Sequence, residues 1–420
     1  MGNRMNRILF MFCALLACIA TGCASGGTKP TAVWPGQSAR TPVKLRQIES
    51  IALEHHSSIP PVTIEDASKD EPRVAVAANS IDLTIDQVRA AVLSNPEVRI
   101  NRMDPGIARE RAGADGPWRV ESIRIGELRY TLANAQTKRR IVRAIAESDR
   151  VYWSLHGAIR ELAVRHRDLE LARQQMVRAR TKVESGIAVA LEVARAEAGV
   201  AERQESVVIA QARVRRLDRQ LKRMLNRSDL KMKSATAIAP VTDPIVLGYQ
   251  LSSMQLTKMA TANRTEEREQ ELRMSIALLN VAIARKVATN DADPRVQLAL
   301  LQHQQRRIAK KRAEEQIKQD VLDAIDRLHR DWNRILLARK SVMLTNRRYL
   351  AEKRQFELNL RTSTDVLEAA SLLAEAQLRE VRAVADYQIS QVDLAFATGS
   401  VLGEHRVNWS PIEIDQVTGG

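Results

Sequence analysis

Two long stretches of this chain have the pattern of helical hairpins, and this feature limits the chain to an architecture of extended rods. In the second stretch apolar residues recur in steps of four and three, which is the spacing of one helix face. They are Ile317, Val321, Ile325, Leu328, Trp332 and Ile335, and after a short break Ala370, Ala374, Leu378, Val381, Ala385, Ile389, Val392 and Phe396. The stretch from about residue 305 to the break contains no Pro or Gly, and its roughly fifty residues predict a rod on the order of 80 Å long, which is too long for one compact globule.

The break between the two runs has the composition of a tight turn. Asn359 tolerates a left-handed backbone, and Thr362 or Ser363 can cap a new helix. The pattern therefore predicts an antiparallel hairpin whose tip lies at Asn359 and Leu360.

The hairpin occurs twice. A shift of 173 residues places Gly186 on Asn359, and the match runs without a gap from about residue 141 to residue 226. A fixed offset over that length indicates an internal duplication. The first copy has its own apolar stripe, formed by Val151, Leu155, Ile159, Leu162, Leu169, Met176 and Val183. We therefore predict an all-α dominated fold with four long helices whose two tips share one level.

Composition agrees with long helices and leaves the meaning of the charge open. Aromatic residues make up only 3% of the chain, and its formal net charge is +15. A basic chain can bind an anionic partner such as lipid headgroups, lipopolysaccharide or an acidic solute. The alternative is that the arginines only form solvated helix faces.

The N-terminus has the pattern of an export signal. Arg4 and Arg7 precede the apolar segment 8–20, which is too short for a stable membrane anchor. The segment ends in Ala20-Thr21-Gly22-Cys23, which resembles the lipobox of bacterial lipoproteins. We expect a signal peptide over residues 1–22 and acylation of Cys23, the one cysteine that cleavage would leave. The alternative is a simple secretory signal with an unpaired cysteine.

The whole chain divides into six predicted segments. A tether rich in Pro, Ser and Thr precedes two repeats, each of short helices followed by a long hairpin, with a linker between them. The predicted segments are 1–22 (signal peptide), 23–80 (tether), 81–230 (first repeat), 231–250 (equatorial linker), 251–402 (second repeat) and 403–420 (tail).

Several motifs now resemble one family. Leu83-Thr84 and Asn95-Pro96 frame a short helix, the duplicated hairpins follow, and an Ala385-Asp386-Tyr387-Gln388 run leads to Gly399. In this order they resemble the TolC-like outer-membrane efflux proteins over residues 81–402. The resemblance implies a homotrimer whose twelve long helices form a periplasmic α-barrel at the outer membrane. It also implies a periplasmic adaptor protein and an inner-membrane pump or ABC exporter as partners.

The sequence departs from the family in its strands. Family members carry β-strands that build a barrel across the outer membrane, and a spanning strand needs about ten alternating residues. Only the segments 118–132 and 294–301 could supply strands, and the second is shorter still. The chain also has only four Phe and five Tyr for an aromatic girdle. We therefore expect a vestigial or absent β-barrel portion, with the acyl group at Cys23 as the main membrane attachment.

The family resemblance assigns two roles to the tips. Gly186, Ile187, Asn359 and Leu360 resemble the turns that meet the adaptor. Arg361 and its acidic partner Glu192 resemble a gate that closes the tunnel mouth. Asp365 and Glu368 resemble carboxylate rings, and Phe356 stands where a gate tyrosine is usual. For Asp365 and Glu368 the alternative is an ordinary helix start, where acids are favoured in the first turn.

No catalytic motif, cofactor motif or metal-ligand cluster stands out in the sequence. The leading hypothesis is therefore a channel component of a tripartite efflux or type I secretion system. One alternative is a lipoprotein that has lost the pore and serves as a structural scaffold. Another is a monomeric coiled-coil spacer.

Overall fold

A computed structural model of the protein describes residues 80–114, 120–358 and 360–404. The predicted signal peptide, Cys23, the tether up to residue 79, Asn359 and the tail beyond residue 404 lie outside the described residues. The elements are β1 (Ser80–Leu83), α1 (Ile85–Ser94), α2 (Pro96–Ala114), α3 (Val120–Glu184), α4 (Ala190–Leu225), β2 (Ala237–Pro240), α5 (Ser253–Asn263), α6 (Thr265–Val287), α7 (Pro294–Glu357), α8 (Ser363–Thr398) and α9 (Val401–Glu404).

The predicted duplication is visible in the helix lengths. α3 and α7 have 65 and 64 residues, and α4 and α8 have 36 residues each. α4 and α8 begin and end 173 residues apart, as the sequence offset requires. Both end on a left-handed residue, Asn226 with φ of 46° and Gly399 with φ of 71°. The prediction of a helix-dominated fold with paired hairpins is confirmed.

The four long helices form a layer rather than a closed bundle. α3 packs against α4 and α8, and α8 packs against α7. The order across the layer is therefore α4, α3, α8, α7, so the two hairpins lie side by side. Within the described residues α4 and α7 form the two edges of this layer.

The long helices α3 and α7 continue past the ends of α4 and α8 into a second layer. There α2 packs on α3, α3 on α6, and α6 on α7. α3 therefore has α4 and α8 as neighbours toward the tips and α2 and α6 toward the far end, and α7 exchanges α8 for α6 in the same way.

Each repeat has its own apolar core at the level where the short helices cross the rods. In the first repeat Val88 of α1 is buried with Tyr152, Leu155 and Leu221. In the second, residues of α5, α7 and α8 form the equivalent cluster, with Leu256, Val321, Leu328, Ile335 and Tyr387 among its members. The matching cores explain why both repeats keep the same helix order.

The linker between the repeats contacts both of them. Its strand β2 pairs in parallel with β1. The Thr242 amide then donates a 3.0 Å hydrogen bond to the Tyr152 hydroxyl, and the Gln388 side-chain amide donates one of 2.6 Å to the Ile245 carbonyl. Tyr387 also donates to the Leu247 carbonyl. The linker thus connects α3 of the first repeat to α8 of the second.

The prediction that two segments could form strands is wrong where the structure describes them. Residues 120–132 form the first turns of α3, and residues 294–301 form the first turns of α7. The apolar alternation that suggested a strand is overridden by helix packing, which buries Ile125 in α3 and Val296 and Ala299 in α7.

The strands of the described chain are β1 and β2, each of four residues. None of the helices in residues 80–114, 120–358 and 360–404 is both long and apolar enough to cross a membrane.

Candidate functional site at the hairpin tips

The two hairpin tips lie together at one end of the helix layer. Thr364, at the start of α8, donates a 3.2 Å hydrogen bond to the carboxylate of Glu192, at the start of α4. The ammonium group of Lys182, near the end of α3, lies 4.0 Å from the centre of the Phe356 ring near the end of α7. These contacts place both turns at one level, as the duplication predicts.

The first tip turns on Gly186. Its backbone is left-handed, with φ of 70°, and no atom lies within 4 Å of the position that a β-carbon would occupy. Glycine is therefore favoured here by its backbone conformation and not by crowding. The amide of Ile187 donates a 2.9 Å hydrogen bond to the carbonyl of Lys182, which closes the last turn of α3.

The second tip is closed by a capping box at the start of α8. The Asp365 carboxylate accepts hydrogen bonds of 2.9 Å and 2.8 Å from the amide and the hydroxyl of Thr362. The Asp365 amide donates back to the Thr362 hydroxyl at 3.2 Å. These hydrogen bonds lower the pKa of Asp365. In one chain Asp365 therefore acts as a helix cap, which was the alternative interpretation of this acid.

Large apolar side chains project from both tips into solvent. Ile187 is 75% exposed and Leu360 is 72% exposed, and three further residues share this property: Val189, Leu191 and Leu358. Exposed apolar residues that cluster at one end of a molecule mark an interaction site more often than scattered ones do. Ile187 and Leu360, which the sequence assigned to the adaptor contact, are thus exposed, and the contact itself stays a prediction. Asn359 lies outside the described residues.

Arg361 does not pair with Glu192 within the chain. Its guanidinium forms a 3.3 Å ion pair with Glu352 and donates a 3.0 Å hydrogen bond to the Gln355 side chain. Glu192 instead bonds Thr364 and forms a 3.3 Å ion pair with Arg195. Within the single chain Arg361 is thus held by its own hairpin, and its pairing with Glu192 at a gate stays a prediction.

The other two predicted gate residues also have partners. Glu368 forms a 3.2 Å ion pair with Arg348 across the hairpin, and both side chains are largely exposed. Phe356 is buried beneath Lys182. The structure thus brings Glu192, Asp365 and Phe356 to one end of the layer, but it gives each of them a local contact within the chain.

Sequence analysis missed the partners of these residues. Thr364 could have been found, because the 173-residue shift lays Glu192 on Asp365, its immediate neighbour. Glu352 and Gln355 lie one to three turns before Arg361 on the opposite arm of the hairpin, and no motif distinguishes them. Lys182 carries no signal in the sequence that would relate it to Phe356.

The arrangement offers electrostatic and apolar contacts. In the described part of the chain no group of three or more His, Cys, Asp or Glu residues is placed to hold a metal ion. The tips present exposed apolar side chains close to carboxylates and arginines.

Comparison with known proteins gives a consistent result at the level of structure. No protein-family model and no curated protein sequence matches the chain. The outer membrane channel CmeC of Campylobacter jejuni matches with a TM-score of 0.66 and 12% identity, over 75% of this chain and 85% of CmeC. The outer membrane protein VceC of Vibrio cholerae matches with a TM-score of 0.63 and 12% identity, over 75% and 96% of the two chains.

A third solved structure agrees with these two. The open state of the outer membrane channel MtrE of Neisseria gonorrhoeae matches with a TM-score of 0.62 and 14% identity, over 76% of this chain and 90% of MtrE. At such low identity the likeness establishes the fold. It extends over most of each channel protein, and the order of the hairpins is therefore shared.

Proposed function

We propose that this chain, which has the fold of the TolC-like outer-membrane channels, is a channel component of a tripartite efflux or type I secretion system. The observation that carries the proposal is the open four-helix layer with both tips at one end. A closed bundle would bury its helices against one another and could enclose no tunnel. An open layer leaves two edges that copies of the same chain can complete.

Three copies of the layer supply the twelve long helices of a tunnel wall. Because α4 and α7 differ in sequence, contact between one copy's α4 and the next copy's α7 is heterologous, and a heterologous contact with a suitable rotation closes into a ring. The fold likeness and the two uncovered edges both support a homotrimer.

The exposed tips suit a periplasmic adaptor as partner. Ile187 and Leu360 offer apolar contacts, and Gly186 leaves open space beside the backbone for close approach. The adaptor would connect the tunnel to an inner-membrane pump or ABC exporter, because the described chain contains no nucleotide-binding motif that could supply energy.

The acidic residues near the tips suit a tunnel opening that selects solutes by their charge. In a trimer Asp365 and Glu368 would each occur three times around one opening, and rings of carboxylates attract cations. Arg361, which pairs with Glu352 in the single chain, would contribute the basic group of the gate. These gate roles are part of the proposal.

The proposed location is the periplasmic face of the outer membrane. Cys23 would carry the acyl anchor, and a single acyl chain gives only reversible membrane binding, so more than one chain is expected at this residue. The tips would then point away from the outer membrane, toward the adaptor.

One observation favours a second function, that of a scaffold without a pore. The two segments that could have supplied strands, 118–132 and 294–301, are helical wherever they are described. A trimer could then hold an adaptor and a membrane together without conducting.

The test is the full-length acylated protein in detergent and in planar bilayers. Sedimentation equilibrium should give a trimer, and the trimer should conduct when it is added to a bilayer. A trimer that never conducts supports the scaffold instead. A monomer at micromolar concentration contradicts both functions and leaves the coiled-coil spacer.

A further inference from the structure

The outer edge of α7 carries leucines that the described chain leaves uncovered. Leu337 and Leu344 are 68% and 51% exposed and lie one heptad apart. At 100° per residue they face away from Leu328 and Ile335, which are buried in the core of the second repeat. A leucine that is half exposed or more on a straight helix edge is a candidate for burial by another helix.

The outer edge of α4 presents a smoother surface. Ala194, Ala198, Ala201, Val208 and Ala212 are exposed and follow one another mostly in steps of three and four. They face away from Leu217 and Leu221, which are buried against the rest of the first repeat. Small side chains allow helix axes to approach closely, so this edge can receive larger side chains from a partner.

The shared level of the tips fixes how these two edges would meet. α4 rises from Gly186 and α7 descends to residue 359, each by about 1.5 Å per residue. Ala201 and Leu344 each lie 15 residues from their own turn, and Val208 and Leu337 each lie 22 residues from it. The leucines of α7 are therefore level with the small residues of α4.

Charged residues on the same edges follow the same register. Glu205 of α4 is level with Lys340 of α7, and Arg219 is level with Asp326. All four side chains are exposed, and none forms an ion pair with another described residue. The two charges are 14 residues apart on each helix, and their signs are opposite at both levels. The register that aligns the apolar residues thus also aligns the opposite charges.

We infer that the α7 edge of one copy docks antiparallel on the α4 edge of a second copy of this chain, with Leu344 on Ala201 and Leu337 on Val208. An ion pair of Lys340 with Glu205 lies between these two contacts, and one of Asp326 with Arg219 lies beyond them, farther from the tips. The inference rests on the proposed homotrimer and adds its seam and register. Each copy offers both edges, so the contact repeats around a ring.

Cysteine pairs test this register directly, since the chain's own cysteines are Cys13, Cys18 and Cys23. In the full-length acylated protein, the double variants A201C/L344C and V208C/L337C should form disulfides between copies under mild oxidation. On a denaturing gel they should run as dimers and trimers that collapse to monomer on reduction. The matched controls A201C/L337C and V208C/L344C are displaced by one heptad, about 10.5 Å, which exceeds the Cα separation that a disulfide spans.

The outcomes separate the seam from the proposed function. If the control pairs form disulfides as readily as the matched pairs, the register is wrong. The register is also wrong if neither set forms disulfides in a protein that sediments as a trimer. Neither result contradicts the proposed channel. The latter result would follow if an adaptor covered the α7 edge. A disulfide within one chain would show that α4 and α7 close a solid bundle, and a monomeric protein would contradict seam and channel together.

Charge exchange provides a test without oxidation. Lys340→Glu should place like charges opposite Glu205 and raise the dissociation constant of the trimer severalfold. Adding Glu205→Lys in the same chain should restore the original value. Lys353→Glu, on the same helix but off this edge, is the control and should leave assembly unchanged. Failure of the second substitution to rescue the first would refute the pairing.

Discussion

A β-carbon on Gly157 would lie only 2.7 Å from the β-carbon of Ala385. The helices α3 and α8, which belong to different repeats, therefore cross at a point where one of them must lack a side chain. Ala374 and Leu378 of α8 are buried with Val164 of α3 farther along this seam. The two repeats are thus joined by close backbone approach, which fixes the inner half of the helix layer.

This crossing predicts opposite effects for two similar substitutions. Gly157→Ala should lower the free energy of unfolding, because overpacking costs about 1–3 kcal/mol and exceeds the gain of ~1 kcal/mol in helix propensity. Gly199→Ala, also inside a helix, would meet the side chains of Arg203 at 3.3 Å and Leu367 at 3.6 Å, which is far less crowded, and it should be neutral or stabilising. Urea unfolding followed by circular dichroism measures both. Equal midpoints for the two variants would contradict the close crossing.

Glu161 joins three helices across the same seam. This buried acid on α3 forms a 2.9 Å ion pair with Arg213 of α4 and a second ion pair with Arg382 of α8. Glu161→Gln keeps the shape but removes the charge that both arginines need, and it should cost about 1–3 kcal/mol. The control is Glu202→Gln at an exposed position of α4, where a change within about 0.5 kcal/mol is expected. The denaturant midpoints of both variants measure the change. If Glu161→Gln lowers the free energy of unfolding no more than the control does, the ion pairs of Glu161 do not stabilise the fold.

Most of the fold was predictable because the duplicated pattern is strong. The stripe from Ile317 to Ile335 and the 173-residue offset gave the hairpins, and the ends of α4 and α8 follow that offset. The starts of α3 and α7 were not predictable. The alternation around Ile123 and Ile125 fits a strand locally, and only packing on α2 and α6 decides for helix.

The site was predictable in position but not in its contacts. Gly186 and Thr362 carry backbone signals, a left-handed turn and a helix cap, so the tips could be placed from the sequence alone. The partner of Arg361 depends on which side chain of the opposite arm faces it, and spacing along one helix does not determine that. Glu352 was therefore missed.

The ion pair between Arg361 and Glu352 predicts that removing either partner has the same effect on the conductance of the channel. If this pair holds the arginine in the closed arrangement, Arg361→Ala and Glu352→Gln should both raise conductance in bilayers and alter drug sensitivity in cells. An exposed ion pair contributes about 0.2–1 kcal/mol, which over three copies multiplies the open fraction roughly 3- to 150-fold.

The control for the mouth is Arg354→Ala, a nearby exposed arginine on α7. This variant should have the same conductance as the wild-type protein. Conductance that stays the same in Arg361→Ala would show that this arginine is not part of a gate. An effect of Arg361→Ala without one of Glu352→Gln would point to a partner on a neighbouring copy.

His156 makes the stability of the first repeat depend on pH. Its imidazole is buried beside Trp153, with ring centres 5.5 Å apart. Burial, and to a lesser degree the charge of Arg160, lowers the pKa of His156 to about 4, while Asp243 acts in the opposite direction. The unfolded chain, with an ordinary histidine pKa near 6.5, therefore binds a proton at mildly acidic pH that the folded chain excludes.

The sign of the effect follows from this difference. Stability from the neutral imidazole is present above pH ~6.5 and is lost as pH falls toward ~4. Between pH 7 and pH 5 the loss should be about 2 kcal/mol. His156→Gln should flatten this part of the curve, whereas His166→Gln, at an exposed position of the same helix, should follow the unchanged protein. Denaturant midpoints measured across this range test it, and a His156→Gln curve as steep as the original would assign the pH dependence to other groups.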